Sequence, residues 1–133
     1  MSHFTKLAVA NITSPDAFIA ACKDFGLTDV KRNTSIKAWD GKTMEVDVAV
    51  KAGNYDIGLV KNGKGYEMVS DWWGVRGAQI PALMRFKNDD QLTGALVQHA
   101  TKHAIVAKYK AQGFQAQVSE DEKHNLKVEL TRF

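Results

Sequence analysis

Two dipeptides constrain this chain more than any other feature: Asp40-Gly41 and Asn62-Gly63. In each, a short polar residue precedes a glycine, among the strongest short-range signals for an antiparallel hairpin. Gly53-Asn54 marks a third turn between them. The runs that these turns separate are patterned. Met44, Val46, Val48 and Val50 interleave with Glu45, Asp47 and Ala49, and Tyr55, Ile57, Leu59, then Tyr66 and Met68, carry the pattern on. A two-residue period sends one row of side chains to the core and the other to water. The stretch from Val30 to Ser70 is therefore expected to fold as an antiparallel meander. Its 44–50 strand should bury one valine row and keep the other face wet.

Helices flank the meander. Ser14 is a capping residue, Pro15 stands at the first helical position with its φ already set, and Asp16 complements the dipole. Phe18, Ile19, Cys22 and Phe25 then form one apolar stripe, and Gly26 ends the helix with Leu27 placed to fold back on it. Before it, His3 to Ala10 reads as a strand, apolar on both faces as a central strand is. After the meander, Asp71 to Lys87 holds Trp72, Trp73, two glycines and Pro81, and is expected to form a short helix or an irregular cover. Asn88 and Gln91 make a capping box for a long helix running to about Gln112, which Gly113 ends. Two apolar-alternating runs follow on either side of a polar stretch, Glu120 to Asn125, and predict a last hairpin.

The order is strand, helix, several strands, helix, two strands. It predicts one α+β domain over residues 1–133, an antiparallel sheet with two main helices packed on one face. The core βαββαβ order corresponds to a ferredoxin-like plan with extra hairpins.

Composition excludes several classes. A chain of 133 residues, 44% hydrophobic and 25% charged, is of ordinary globular make-up and long enough to need no staples. Its one cysteine, Cys22, forbids an intrachain disulfide, which fits a reducing compartment. No apolar run approaches the roughly 20 residues of a membrane span, and the N-terminus has no apolar signal core, so a cytoplasmic protein with no membrane contact is expected. A net charge of +3 permits nucleic-acid binding without demanding it, because the cations are interspersed with acids.

Four constellations could carry chemistry. His99 and His103, four apart on the long helix, could point two imidazoles at one metal ion. No glutamate follows the first histidine, and only guesses (Glu67, Asp71, Cys22) stand for further ligands. The expectation is that neither metal nor other cofactor is held and that both rings donate to backbone carbonyls. Adjacent Trp72 and Trp73 cannot both face inward from one regular element, so one ring is expected in the core and the other either under a loop or toward a partner. With Arg76, Met84 and Phe86 they nominate an interaction surface, for a protein partner or a second copy of this chain. Leu7 to Ile12 and Lys64 to Val69 look like the two short motifs of RNA-recognition sheets. That chemistry stacks aromatic rings on bases, and of the expected rings only Tyr66 remains, with Lys64 beside it. No nucleophile elbow, phosphate loop or dinucleotide fingerprint is present, and Glu45 with Asp47 reads as a solvated pair rather than an acid–base couple, so no enzyme is expected.

The opening Met1-Ser2-His3-Phe4-Thr5-Lys6, then Val69-Ser70-Asp71-Trp72, His103 and Gln112-Gly113-Phe114 together resemble the hypothetical chloroplast open reading frame 35 family. The likeness runs over essentially the whole chain. It implies a lineage of cyanobacteria, algal plastids and cyanophages, and hence plastid stroma or infected host cytoplasm. It implies no catalytic residue and gives some weight to His103. The combined expectation is a small non-enzymatic interaction or accessory protein, with single-stranded RNA binding and metal binding as weaker alternatives.

Overall fold

The computed structural model describes residues 5–38, 40–63, 65–122 and 125–132; the side chains of residues 5–11 and of Trp73 lie outside that description. Among the described residues seven strands and three helices follow one another as β1 (Thr5–Ile12), α1 (Pro15–Asp24), β2 (Val30–Lys37), β3 (Thr43–Ala52), β4 (Tyr55–Asn62), β5 (Gly65–Ser70), α2 (Trp72–Gly77), α3 (Asp89–Ala111), β6 (Phe114–Glu120) and β7 (Leu126–Arg132), with a 3-10 turn at Pro81–Leu83 before α3. The architecture is α+β. The first five strands form one sheet in the order β1-β5-β4-β3-β2, and β6 with β7 forms a separate two-stranded sheet.

The meander is as the turn signals require. Consecutive strands from β2 to β5 pair antiparallel, each with the next. The ferredoxin-like order is not. There the first strand is central, whereas here β1 lies at the edge, antiparallel to β5 alone. Tight turns have already paired β2 through β5 in sequence, so the free side of β5 is left to receive β1. The last strands do not return to the sheet either. A 23-residue α3 is roughly 35 Å long and carries the chain past the sheet before the hairpin begins.

Helix ends behave as local chemistry dictates. The Ser14 hydroxyl accepts from the Ala17 N–H at 3.2 Å. At the other end of α1, Leu27 N–H bonds Cys22 C=O and Gly26 N–H bonds Lys23 C=O, with Gly26 at φ +79°. That is a Schellman close, and it folds Leu27 back into the core. Asn88 accepts from Gln91 N–H at 2.9 Å, and the Gln91 amide accepts in turn from Lys87 N–H at 2.8 Å, one residue earlier than a strict capping box.

Both long helices pack into one core. Phe18, Ala21 and Cys22 of α1 and Leu92, Leu96 and Ala100 of α3 join Val48, Val50, Ile57, Leu59 and Met68 of the sheet. The expected single valine row in β3 is broken. Val46 belongs instead to a smaller cluster with Ile36, Ala49 and Val69, on the opposite side of the sheet. The cause is local. Asn33, between the Arg32–Val48 and Thr34–Val46 pairs, takes φ +50°. Across the strand, the β3–β4 ladder ends at Val48–Leu59, and the Asp47 carboxylate replaces it by accepting the Lys61 N–H at 2.9 Å. The turn in the backbone there swaps which face the side chains take. Ala49, read as part of the wet face, is consequently buried.

Gly58 makes this second cluster possible. A Cβ at that position would lie 2.7 Å from Val46 Cγ1 and 3.0 Å from Ile36 Cδ1. Gly58→Ala should destabilise the fold by about 1–3 kcal/mol through overpacking, while Gly77→Ala, with nothing within 4 Å, should cost no such amount. Urea denaturation of the two variants checks this.

Candidate functional site, a carboxylate shared by two histidines and a lysine

Asp24 is the last residue of α1. A carboxylate there faces the negative end of the helix dipole, an unfavourable place for it. Three groups on α3 answer it. His99 Nδ1 lies 2.8 Å, Lys102 Nζ 2.7 Å and His103 Nε2 2.7 Å from the same oxygen, Asp24 Oδ2. Residues 99, 102 and 103 share one helical face because three- and four-residue spacings stack on successive turns. Burial works against the charge on Asp24. The Lys102 ammonium and the two imidazole groups outweigh it and hold the carboxyl down at about 2, against an ordinary 3.8. An ionised carboxylate only accepts, so His99 presents Nδ1–H and His103 presents Nε2–H.

The surroundings fix these rings. Phe25 lies 4.7 Å from the His99 ring, centroid to centroid, and 5.8 Å from Phe86. The Arg85 guanidinium stands over both phenylalanines, at 5.5 and 4.9 Å, and reaches Glu120 of β6 at 3.7 Å. One basic side chain thus joins the end of α1, the segment before α3 and the hairpin. Burial pushes the nearby Cys22 thiol up to about 12, with the Asp24 charge adding to it. A thiol so placed is no nucleophile.

The two histidines were expected to donate to backbone carbonyls. They bond a carboxylate instead, one that sequence could not pair with them across 75 and 79 positions. The only signal available was Asp24 itself, an acid at the wrong end of a helix. Glu67, Asp71 and Cys22 are not brought to the pair as ligands: Glu67 bonds Asn62, and the Asp71 carboxylate caps α2 by accepting Gly74 N–H at 3.1 Å. Among the described residues no three His, Cys, Asp or Glu side chains are arranged to hold a metal ion. The place beside Asp24 Oδ2 that a cation would take holds the Lys102 ammonium.

The other nominated residues divide. Trp72 is a core residue, 2% exposed, and Trp73's side chain lies outside the described residues. Arg76 is fixed at the surface by Lys87 C=O at 2.6 Å and Asp89 at 3.3 Å. Phe86 is half-buried against the core, whereas Met84 is 63% exposed. Tyr66 also packs against the main core, beside Met68 at 1% exposure. Its half-buried ring therefore lies on the helix-covered side of the sheet; Lys64 lies outside the described residues. One oxygen of the exposed Asp47 carboxylate accepts the Lys61 N–H at 2.9 Å.

The fold and the site define a small α+β protein with one meander sheet, two helices locked through a shared carboxylate, and an appended hairpin. The chain belongs to a family described as protein of unknown function (DUF1257), which it matches over residues 21–130. That span contains Asp24, His99, Lys102 and His103. Comparison with curated proteins and with solved structures gives no match. Among the described residues no helix is long and apolar enough to cross a membrane.

Asp24→Asn should cost about 1–3 kcal/mol at neutral pH, because it leaves the Lys102 ammonium and two imidazole N–H donors facing a neutral amide. The carboxyl's value is depressed on folding, so its contribution is complete above the unfolded value near 4 and disappears as pH falls toward about 2. Denaturation across that range should show the gap between parent and variant closing. A gap that stayed constant down to pH 2 would contradict the assigned ionisation.

Proposed function

We propose that the protein is a small non-enzymatic interaction module and that the segment between α2 and α3 receives a protein partner. The observation that carries this reading is Met84. It is the most exposed of the large hydrophobic side chains described, at 63%, and it borders a depression of about 200 Å³ lined by Arg76, Gln79, Ile80, Leu83 and Phe86. An apolar surface in water costs about 25 cal/mol per Å², which a partner's cover would recover. The depression rests on rigid parts. Leu83, which lines it, is 5% exposed, and Arg76 is already held by two acceptors, so little side-chain freedom is lost on docking. Methionine adapts to varied apolar partners, as accessory modules require.

The setting in this reading comes from the resemblance to the chloroplast open reading frame 35 family: an accessory role in a photosynthetic lineage or its phage, in stroma or cytoplasm.

Capture from such a lysate with tagged parent and variants tests it. Met84→Ser should weaken retention of a protein partner by about 2 kcal/mol, roughly thirty-fold in Kd, with thermal stability unchanged. Leu83→Ser should instead lower stability by a few kcal/mol. Equal capture by parent and Met84→Ser would remove this surface from consideration. Capture abolished by nuclease treatment would place a nucleic acid where the protein partner is proposed.

A further inference from the structure

The β6–β7 hairpin stands apart from the main sheet, paired with no other strand among the described residues. A lone two-stranded ribbon is marginal in water. This one leans on α3 at its base, where Tyr109 meets Phe114 edge-on at 5.7 Å, and Arg132 stacks over Phe114 at 5.6 Å. Its register places Ala116 opposite Leu130 and Val118 opposite Val128, so all four share one face. That face remains partly wet, with Val118 40% and Leu130 37% exposed. They are two of the three large hydrophobic side chains described as exposed, and both lie here.

We propose that β7 pairs with β7 of a second copy of this chain, making a four-stranded sheet in the order β6-β7-β7-β6. The reason is the order of residues along β7, Leu126-Lys127-Val128-Glu129-Leu130. Place a two-fold axis at Val128 in an antiparallel pair. Lys127 then stands opposite Glu129 of the other copy, Glu129 opposite Lys127, and Leu126 opposite Leu130. Opposite charges and apolar residues directly across a strand pair each stabilise it. Both charges project from the polar face, where they already approach each other within one chain at 3.0 Å while 71% and 57% exposed. An isologous contact needs such self-complementarity.

The β2 edge of the main sheet shows the opposite design. Strand β2 carries Lys31, Arg32 and Lys37 with no acid among them, and Asn33 at φ +50° bends it. A second β2 would meet only like charge on a kinked backbone. Sterically, strands about 4.8 Å apart put the two hairpin centres about 10 Å apart. That is the ordinary spacing of packed helices, so each α3 can stay on its own hairpin. This surface is separate from the Met84 depression, and its test is independent of any other partner.

Light scattering on the full chain after size exclusion decides the matter, using Lys127→Glu and Glu129→Lys. Parent protein should show twice the chain mass. Each variant alone sets like charges across the axis and should fall to the monomer mass, with thermal stability close to the parent's monomer value. Mixed one to one, the two variants restore both opposite-charge pairs and should return to twice the chain mass. A parent that is monomeric at every soluble concentration overturns the proposal. So do variants that remain dimeric alone, or a mixture that stays monomeric.

Discussion

One oxygen atom, Asp24 Oδ2, sets how the two long helices meet. A carboxylate at the C-terminal end of a helix is disfavoured by the dipole, so α1 is stable in its register only where another element brings cations and N–H donors to it. Helix α3 brings three from one face. A shift of α3 by one residue would turn that face away. The next residue, Phe25, packs against His99 and lies under Arg85, so the same joint anchors the segment before α3. Arg85 in turn reaches Glu120. The positions of the Met84 surface and of the hairpin therefore follow from a contact made at the end of α1.

The sheet obeys a second constraint, the change of face in β3. Had Val46, Val48 and Val50 all pointed one way, the far side of the sheet would carry no apolar residue from this end of the strand. The switch at Asn33 and Asp47 gives it Val46 and Ile36, and Gly58 leaves the space in which they meet Val69. The acid that seemed a solvated neighbour of Glu45 is what completes the backbone bonding there. A charged residue on a strand's exposed side can thus be part of the ladder, replacing a carbonyl where the chain turns.

The hairpin and the helix pair differ in how they are stabilised. The joint of α1 with α3 is closed, its donors and acceptor satisfied within the chain. The hairpin is open, with a half-wet apolar face and an alternating charge pattern that finds its complement in another copy. The Met84 depression is a third kind of surface, apolar at its centre and rimmed by a guanidinium already tied down. The one cysteine of the chain, Cys22, is buried with its thiol held unreactive.

Residues close in sequence determined what depends on local backbone chemistry. The turns at Asp40-Gly41, Gly53-Asn54 and Asn62-Gly63, the Ser14 and Asn88 caps, the glycine stops at Gly26 and Gly113, and the terminal hairpin were all legible, because each rests on interactions within a few positions. So were the α+β class and the two helices packing together. Tertiary structure alone decided the rest. It put β1 at the edge, because the meander left one partner free, and it buried Trp72. It set the half-buried Tyr66 against the core side of the sheet, since facing is set by register across strands and not by a motif. Above all it joined Asp24 to His99, Lys102 and His103, a contact spanning more than half the chain, whose partners no local pattern could name.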